Sequence, residues 1–187
     1  HTATDFTPYS NLSLWDTFRT QNQLVEMLSP MVAHGVDLSI LAIARQQGWL
    51  PRWFLGTREG NIMTGDPITS FLVEGWSKGL LAGEYATEAY KYIRKNATEV
   101  PPPDVPMNGR AGAEYFGRLG YIPYGLKVTS RANCPTEGSG ASYCPTHGND
   151  NDCYYPVSSS LEYSAADASL ALMAKGLGHA EDAQMFA

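Results

Sequence analysis

Apolar residues recur along this chain at three- and four-residue intervals, and the two-residue alternation of half-buried strands is almost absent. The pattern predicts a first helix from about Ser13 to Leu28, with Leu14, Phe18, Val25 and Leu28 facing inward. Ser29-Pro30 supplies an N-cap followed by a first-turn proline, and opens a second helix through Ile40, Leu41 and Ala44 that Gly48 stops. An ordered loop with Trp49, Trp53 and the Glu59-to-Gly65 block follows. Asp66-Pro67 repeats the cap-then-proline signal for a third helix through Phe71, Leu72 and Trp76 to about Ala82. Gly83 separates it from a fourth, Glu84 to Lys95, with Tyr85, Ala89 and Tyr92 on one side. Beyond a loop from Pro101 to Arg110, a short helix around Ala111 to Leu119 ends at Gly120. The last clear helix runs from about Ser160 to Lys175, with Gly176 and Gly178 as terminators, and Ala180 to Ala187 begins another. Residues 121–157 form a long irregular stretch, uncommon in a compact domain unless functional or cross-linked. Helices joined by alternately long and short connections describe an all-α array of helical hairpins.

At 187 residues the chain is long enough for one well-buried core, and residues 1–187 read as a single segment. A hydrophobic content of 43% with 17% charged residues describes an ordinary globular protein with a rather uncharged surface. The net charge of −6, with no cluster of Lys or Arg to offset it, argues against a nucleic-acid partner. No apolar run reaches membrane-spanning length and no signal-peptide pattern opens the chain. It begins at His1 rather than Met, which reads as a processed or excised piece.

Cys134, Cys144 and Cys153 lie in one Gly/Ser/Pro-rich stretch. That clustering, with two N-x-S/T acceptors, favours a secreted protein with one disulfide among the three. A zinc site with His147 fits no ligand spacing. The acceptors are Asn11-Leu12-Ser13 and Asn96-Ala97-Thr98; Asn96 is the better glycosylation candidate, because it ends a helical pattern ahead of Val100-Pro101-Pro102-Pro103. Asn149-Asp150-Asn151-Asp152 lacks the glycine and distal glutamate of a calcium loop, and His34, His147 and His179 form no nucleophile–base arrangement.

Two stretches carry the candidate chemistry: Leu14-Trp15-Asp16-Thr17-Phe18-Arg19 and Gly48-Trp49-Leu50-Pro51-Arg52-Trp53. An aromatic face suits the apolar C–H side of a pyranose, and charged groups bind the hydroxyls at its rim. The plainer reading makes Trp15 and Phe18 core and Asp16–Arg19 a helix-surface ion pair.

"SLWDTFR", "GWLPRW", "EGNIMTGDP" with "EGWSKGL", "GYIP" and "SSSLEYSAADASLALMAKGLG" occur in an order that resembles family 92 glycoside hydrolases, exo-acting α-mannosidases mostly of α-1,2 specificity. The resemblance runs from about Tyr9 to the C-terminus and implies part of an (α/α)6 catalytic toroid, with residues 121–157 as an irregular loop or insertion. It implies that Asp16 and Trp53 contact mannose in the −1 subsite, that Arg19 holds Asp16 in place, and that Trp49 packs. Asn11 adjoins that site and is expected bare. Thr136-Glu137-Gly138 is not the family's general-acid segment, because it precedes Leu161-Glu162-Tyr163 rather than following it. Glu162 and Asp167 are expected to be structural, starting the late helix, with loop pinning as the alternative role for Glu162, and Glu59 is left between structural and functional roles. The family's inverting acid, base and calcium ligands would lie beyond the equivalent of residue 187, so no catalytic or metal residue is assigned here. The parent protein is expected to be a secreted, calcium-dependent α-mannosidase acting on mannose-containing glycans, with this segment inactive without the remaining polypeptide. The alternative is a non-catalytic helical module that binds glycan or scaffolds an assembly.

Overall fold

A computed structural model describes residues 5–56, 58–60, 63–102, 105–107, 109–123 and 156–187. Among them the chain is almost wholly helical: α1 (Leu14–Thr17), α2 (Gln21–Leu28), α3 (Pro30–Gln47), α4 (Pro67–Ser77), α5 (Glu84–Thr98), α6 (Ala113–Leu119), α7 (Pro156–Leu177) and α8 (Ala180–Met185). The exception is a two-residue hairpin, β1 (Phe54–Leu55) antiparallel to β2 (Arg58–Glu59), in the loop between α3 and α4. The expected Cys134, Cys144 and Cys153 stretch lies outside the described residues.

Local signals explain most boundaries. Pro30 and Pro67 occupy the first turns of α3 and α4, where a missing N–H costs nothing. Gly48 ends α3 in the left-handed conformation, at φ 77°. The predicted first helix, however, is two: α1 stops at Thr17 and α2 restarts at Gln21. Leu28 accordingly does not face inward and is 72% exposed. α5 runs three residues further than predicted, and α4 ends at Ser77 rather than near Ala82. Gly176 does not terminate α7; it lies inside the helix because the Trp76 indole occupies the space a Cβ would need, and Gly178, at φ 85°, follows the helix end instead.

The core is a continuous cluster in which Ile40, Leu41 and Ala44 of α3, Ile68, Phe71 and Leu72 of α4, Ala89 and Ile93 of α5, and Leu170 and Met173 of α7 meet with essentially no exposure. Among the described residues α4 and α7 form the most extensive pairing, joining two helices distant in sequence. Apolar burial of this kind contributes about 25 cal/mol per Å² removed from water.

One polar group is buried inside the helix packing. Asp37 of α3 is 1% exposed, and both carboxylate oxygens lack a hydrogen-bond partner. It faces Gly75 of α4 so closely that a Cβ there would lie 2.7 Å from Oδ2. Burial, with Glu26 nearby, pushes the carboxyl up to about 8. The folded protein therefore keeps a proton on Asp37 that the unfolded chain releases near 3.8. The sign follows: Asp37's contribution is fully present below about pH 4 and is lost as pH rises towards 8. Urea unfolding between pH 4 and 9 should show stability falling less steeply in Asp37→Asn than in the wild type; parallel slopes would contradict a neutral buried acid.

Candidate functional site

The two stretches carrying candidate chemistry meet through the backbone. Leu12 forms an isolated antiparallel bridge to Phe54, its N–H donating to the Phe54 carbonyl at 2.8 Å. Asn11 Oδ1 accepts from the Gly56 N–H at 2.9 Å, and Ser10 Oγ donates to the Gly56 carbonyl at 2.8 Å. α1 starts two residues after Leu12, and Trp53 immediately precedes Phe54, so the bridge sets Asp16 and Trp53 on adjoining segments. Asp16 is exposed, and its carboxylate bonds to no group among the described residues. Trp53 is half-buried, its N–H donating to Glu59 Oε1 at 3.0 Å and its carbonyl accepting from Gly60 at 2.7 Å. Behind α1 a cavity of about 220 Å³ is walled by Leu14, Val25, Val36 and Phe71; Asp16 and Trp53 are not among its walls.

Arg19 does not hold Asp16. The break after Phe18 takes it off the helical ladder, and its Nη2 donates to Glu162 Oε1 of α7 at 3.2 Å. The guanidinium also lies over the Trp15 and Phe18 rings, 4.8 and 4.7 Å from their centroids. With Arg19 about half-exposed, the pair is worth roughly 0–1 kcal/mol, and its importance is geometric. Glu162 sits in the second turn of α7 and not at its start, so the helix-dipole reading fails for it and for Asp167 alike. Its side chain instead covers Gly65, where a Cβ would come within 2.5 Å of the Glu162 Cβ. Trp49 is 3% exposed under the Lys95 ammonium, 4.3 Å from the ring centroid, in the packing role expected of it.

The loop following Trp53 is anchored by charges that the sequence pattern did not flag. Arg110, 1% exposed, donates from Nε to Asp66 Oδ2 at 2.8 Å and from Nη1 to Asp167 Oδ1 at 2.5 Å. Its guanidinium lies 5.1 Å from the centroid of the Tyr163 ring, and the Tyr163 hydroxyl donates to the Ala111 carbonyl at 3.2 Å. Burial opposes the charge on Arg110, but Asp66 and Asp167 outweigh it and hold the guanidinium protonated. Burial pushes the Asp167 carboxyl up, with Arg110 pulling it back only in part. Arg52 adds to the clamp, donating from Nη1 to the Met63 carbonyl at 3.1 Å and from Nη2 to the Gly109 carbonyl at 2.8 Å. The one sequence clue to Arg110 was an arginine set among small residues, Gly109, Ala111 and Gly112.

Residues 1–187 match the model of the glycosyl hydrolase family 92 catalytic domain. The chain belongs to glycosyl hydrolase family 92. It resembles a family GH92 inverting mannosidase of Bacteroides thetaiotaomicron, at 27% identity over 97% of this chain with a TM-score of 0.74. A GH92 α-mannosidase from the same organism, solved in complex with mannoimidazole, shares the fold at 23% identity over the whole chain, again with a TM-score of 0.74. A secreted glycosidase of uncharacterised activity from Arthroderma benhamiae is 26% identical over 145 residues, 74% of this chain. The chain spans 21% and 20% of the two solved structures and 16% of the Arthroderma protein. The helical hairpins of this family 92 chain are thus part of an (α/α)6 toroid.

One expectation changes within this frame. Asn96 lies inside α5 and is 3% exposed, leaving no room for a glycan in the folded chain, whereas Asn11 is exposed; the preference between the two acceptors is reversed. Among the described residues no three His, Cys, Asp or Glu side chains converge as metal ligands. No helix among the described residues is long and apolar enough to cross a membrane.

Replacing Arg110 with Met would leave Asp66 and Asp167 buried and uncompensated. Arg110→Met should destabilise the chain by about 3–5 kcal/mol in urea unfolding. A loss below about 1 kcal/mol, the range of a surface pair, would contradict the anchoring role.

Proposed function

We propose that this chain carries part of the −1 sugar subsite of a secreted, inverting α-mannosidase that removes terminal α-1,2-linked mannose from glycans. The observation that carries the reading is the Leu12–Phe54 bridge, which joins the segment bearing an exposed Asp16, unpaired among the described residues, to the one bearing a half-buried Trp53. A carboxylate with both oxygens free accepts hydrogen bonds from adjacent sugar hydroxyls, and charge-assisted bonds of this type are about twice as strong as neutral ones. The indole face covers the apolar C–H side of the ring. Arg19 ties the α1–α2 corner that follows Asp16 to α7 through Glu162.

Inversion requires an acid that protonates the departing glycosidic oxygen and a base that takes a proton from the attacking water, as the C–O bond to the aglycone breaks and that to water forms. The solved relative described as an inverting mannosidase supports this stereochemistry for the parent protein. Acid, base and the calcium that the family resemblance implies belong to the polypeptide beyond this segment. The partner inside the parent is the remainder of the toroid. Val157, Leu161 and Leu172, at helical spacing on one side of α7, are 66–74% exposed, the kind of apolar stripe that a neighbouring helix covers. The Arthroderma protein's description as secreted supports an extracellular location.

Two measurements test the reading. The 187-residue chain alone should not hydrolyse an α-1,2-mannobioside with calcium present, and turnover at the rate of a complete family enzyme would refute the assignment of acid and base elsewhere. In the complete polypeptide, Asp16→Ala should lower kcat/KM by at least about a hundredfold, from loss of charge-assisted bonds worth about 1.5–3 kcal/mol each, with the fold intact by circular dichroism. Unaltered kinetics would remove Asp16 from the subsite.

A further inference from the structure

The sequence leaves Glu59 without a role, and the backbone around it supplies one. Glu59 stands on β2 directly across from Phe54. Its Oε2 accepts the N–H of Arg52 at 2.7 Å and its Oε1 the N–H of Trp53 at 3.0 Å. Two successive peptide N–H groups converge on one anion only where the backbone curls into a concave turn, so the carboxylate selects that turn over an extended strand. The next residue completes the hold, since the Gly60 N–H donates to the Trp53 carbonyl at 2.7 Å. Both polar ends of Trp53 are thus bound by the Glu59–Gly60 dipeptide, and two further strand residues, Phe54 and Leu55, separate them from the turn at Gly56. An aromatic platform on a loop stacks on a ring only if its backbone is fixed to a fraction of an ångström, and Glu59 and Gly60 supply that hold at Trp53 itself, alongside the Leu12–Phe54 bridge and the Arg52 contacts on either side.

We propose that Glu59 is the positioning residue for Trp53: it does not touch the sugar, and it fixes the peptide from which the indole projects. The proposal rests on the reading of Trp53 as a sugar platform. Substitution by Gln keeps the shape but offers one neutral acceptor in place of two charged oxygens, so the two N–H groups compete for it.

The test compares wild type, Glu59→Gln, Trp53→Phe, Trp53→Ala and the double variant Glu59→Gln/Trp53→Phe in the full 187-residue chain. Three readouts are taken: acrylamide quenching of the Trp53 emission, isolated by difference from Trp53→Phe; hydrogen exchange at the Trp53 amide; and affinity for mannoimidazole. In Glu59→Gln, quenching and exchange should rise and mannoimidazole should bind about tenfold more weakly, the size expected from one charge-assisted bond, with the thermal midpoint nearly unmoved. Unchanged quenching and exchange overturn the proposal, as does an affinity loss of the same size when Trp53 is already Phe. Should Glu59→Gln fail to fold, Glu59→Asp, with both oxygens on a shorter arm, is read by the same quenching and exchange, and wild-type values overturn the proposal. Trp53→Ala with undiminished mannoimidazole affinity would instead sink the sugar reading, while quenching and exchange in Glu59→Gln still decide the positioning role.

Discussion

The buried cation Arg110 organises the region around the site. Arg110 has almost no contact with water, yet it joins three segments distant in sequence: the loop that bears it, the Asp66 cap of α4, and Asp167 of α7. A guanidinium taken out of water without partners would cost far more than any packing gain nearby. The fold therefore persists only in the arrangement where both carboxylates reach it. Asp66 shows the consequence for local structure. It stands at the N-cap of α4 but makes no side-chain cap; its Oδ2 serves Arg110 and the Thr69 hydroxyl instead. A local rule for starting helices yields here to a longer-range electrostatic demand.

The loop from Trp53 to α4 inherits its shape from that constraint. Arg52 reaches the carbonyls of Met63 and Gly109, Thr64 shares a hydrogen bond of 2.9 Å with Ser159, and Gly65 lies under Glu162. Met63 takes φ 66°, a left-handed value that is strained for a residue with a Cβ, whereas Gly65 takes φ 84° without strain. In this neighbourhood α7 serves as a wall. Its Ser159, Glu162, Tyr163 and Asp167 side chains each meet a different residue of the loops ahead of α4 and α6 or of the α1–α2 corner.

What could be read from the sequence follows from the range of the interactions involved. α3 was legible because its start and stop are written in adjacent residues, Ser29-Pro30 and Gly48. The family resemblance, carried by short ordered motifs, placed Asp16 and Trp53 as candidates. The break between α1 and α2 was not legible, since the partner of Arg19 lies 143 residues away. Gly176 looked like a helix stop because nothing near it in sequence reveals the Trp76 ring that requires it. Asn96 misled for a related reason: the helix runs past it, and what buries it belongs to other elements.

In the sequence, Asp16, Glu59, Glu162 and Asp167 are four equivalent anions near conspicuous aromatics. Their surroundings separate them by how the loss of hydration has been met. Asp167 has lost water and gained a guanidinium; Glu59 faces two peptide N–H groups; Glu162 holds an arginine at the surface. In each, at least one carboxylate oxygen already has a protein donor, and a sugar hydroxyl taking that place would displace it at a cost comparable to the bond it forms. Asp16 is exposed and has no such donor among the described residues, so a hydroxyl exchanges only with solvent. The bound carboxylates are the ones suited to rigidity and the unbound one to recognition, and a rigid surround is what allows a single free anion to discriminate between hydroxyl arrangements.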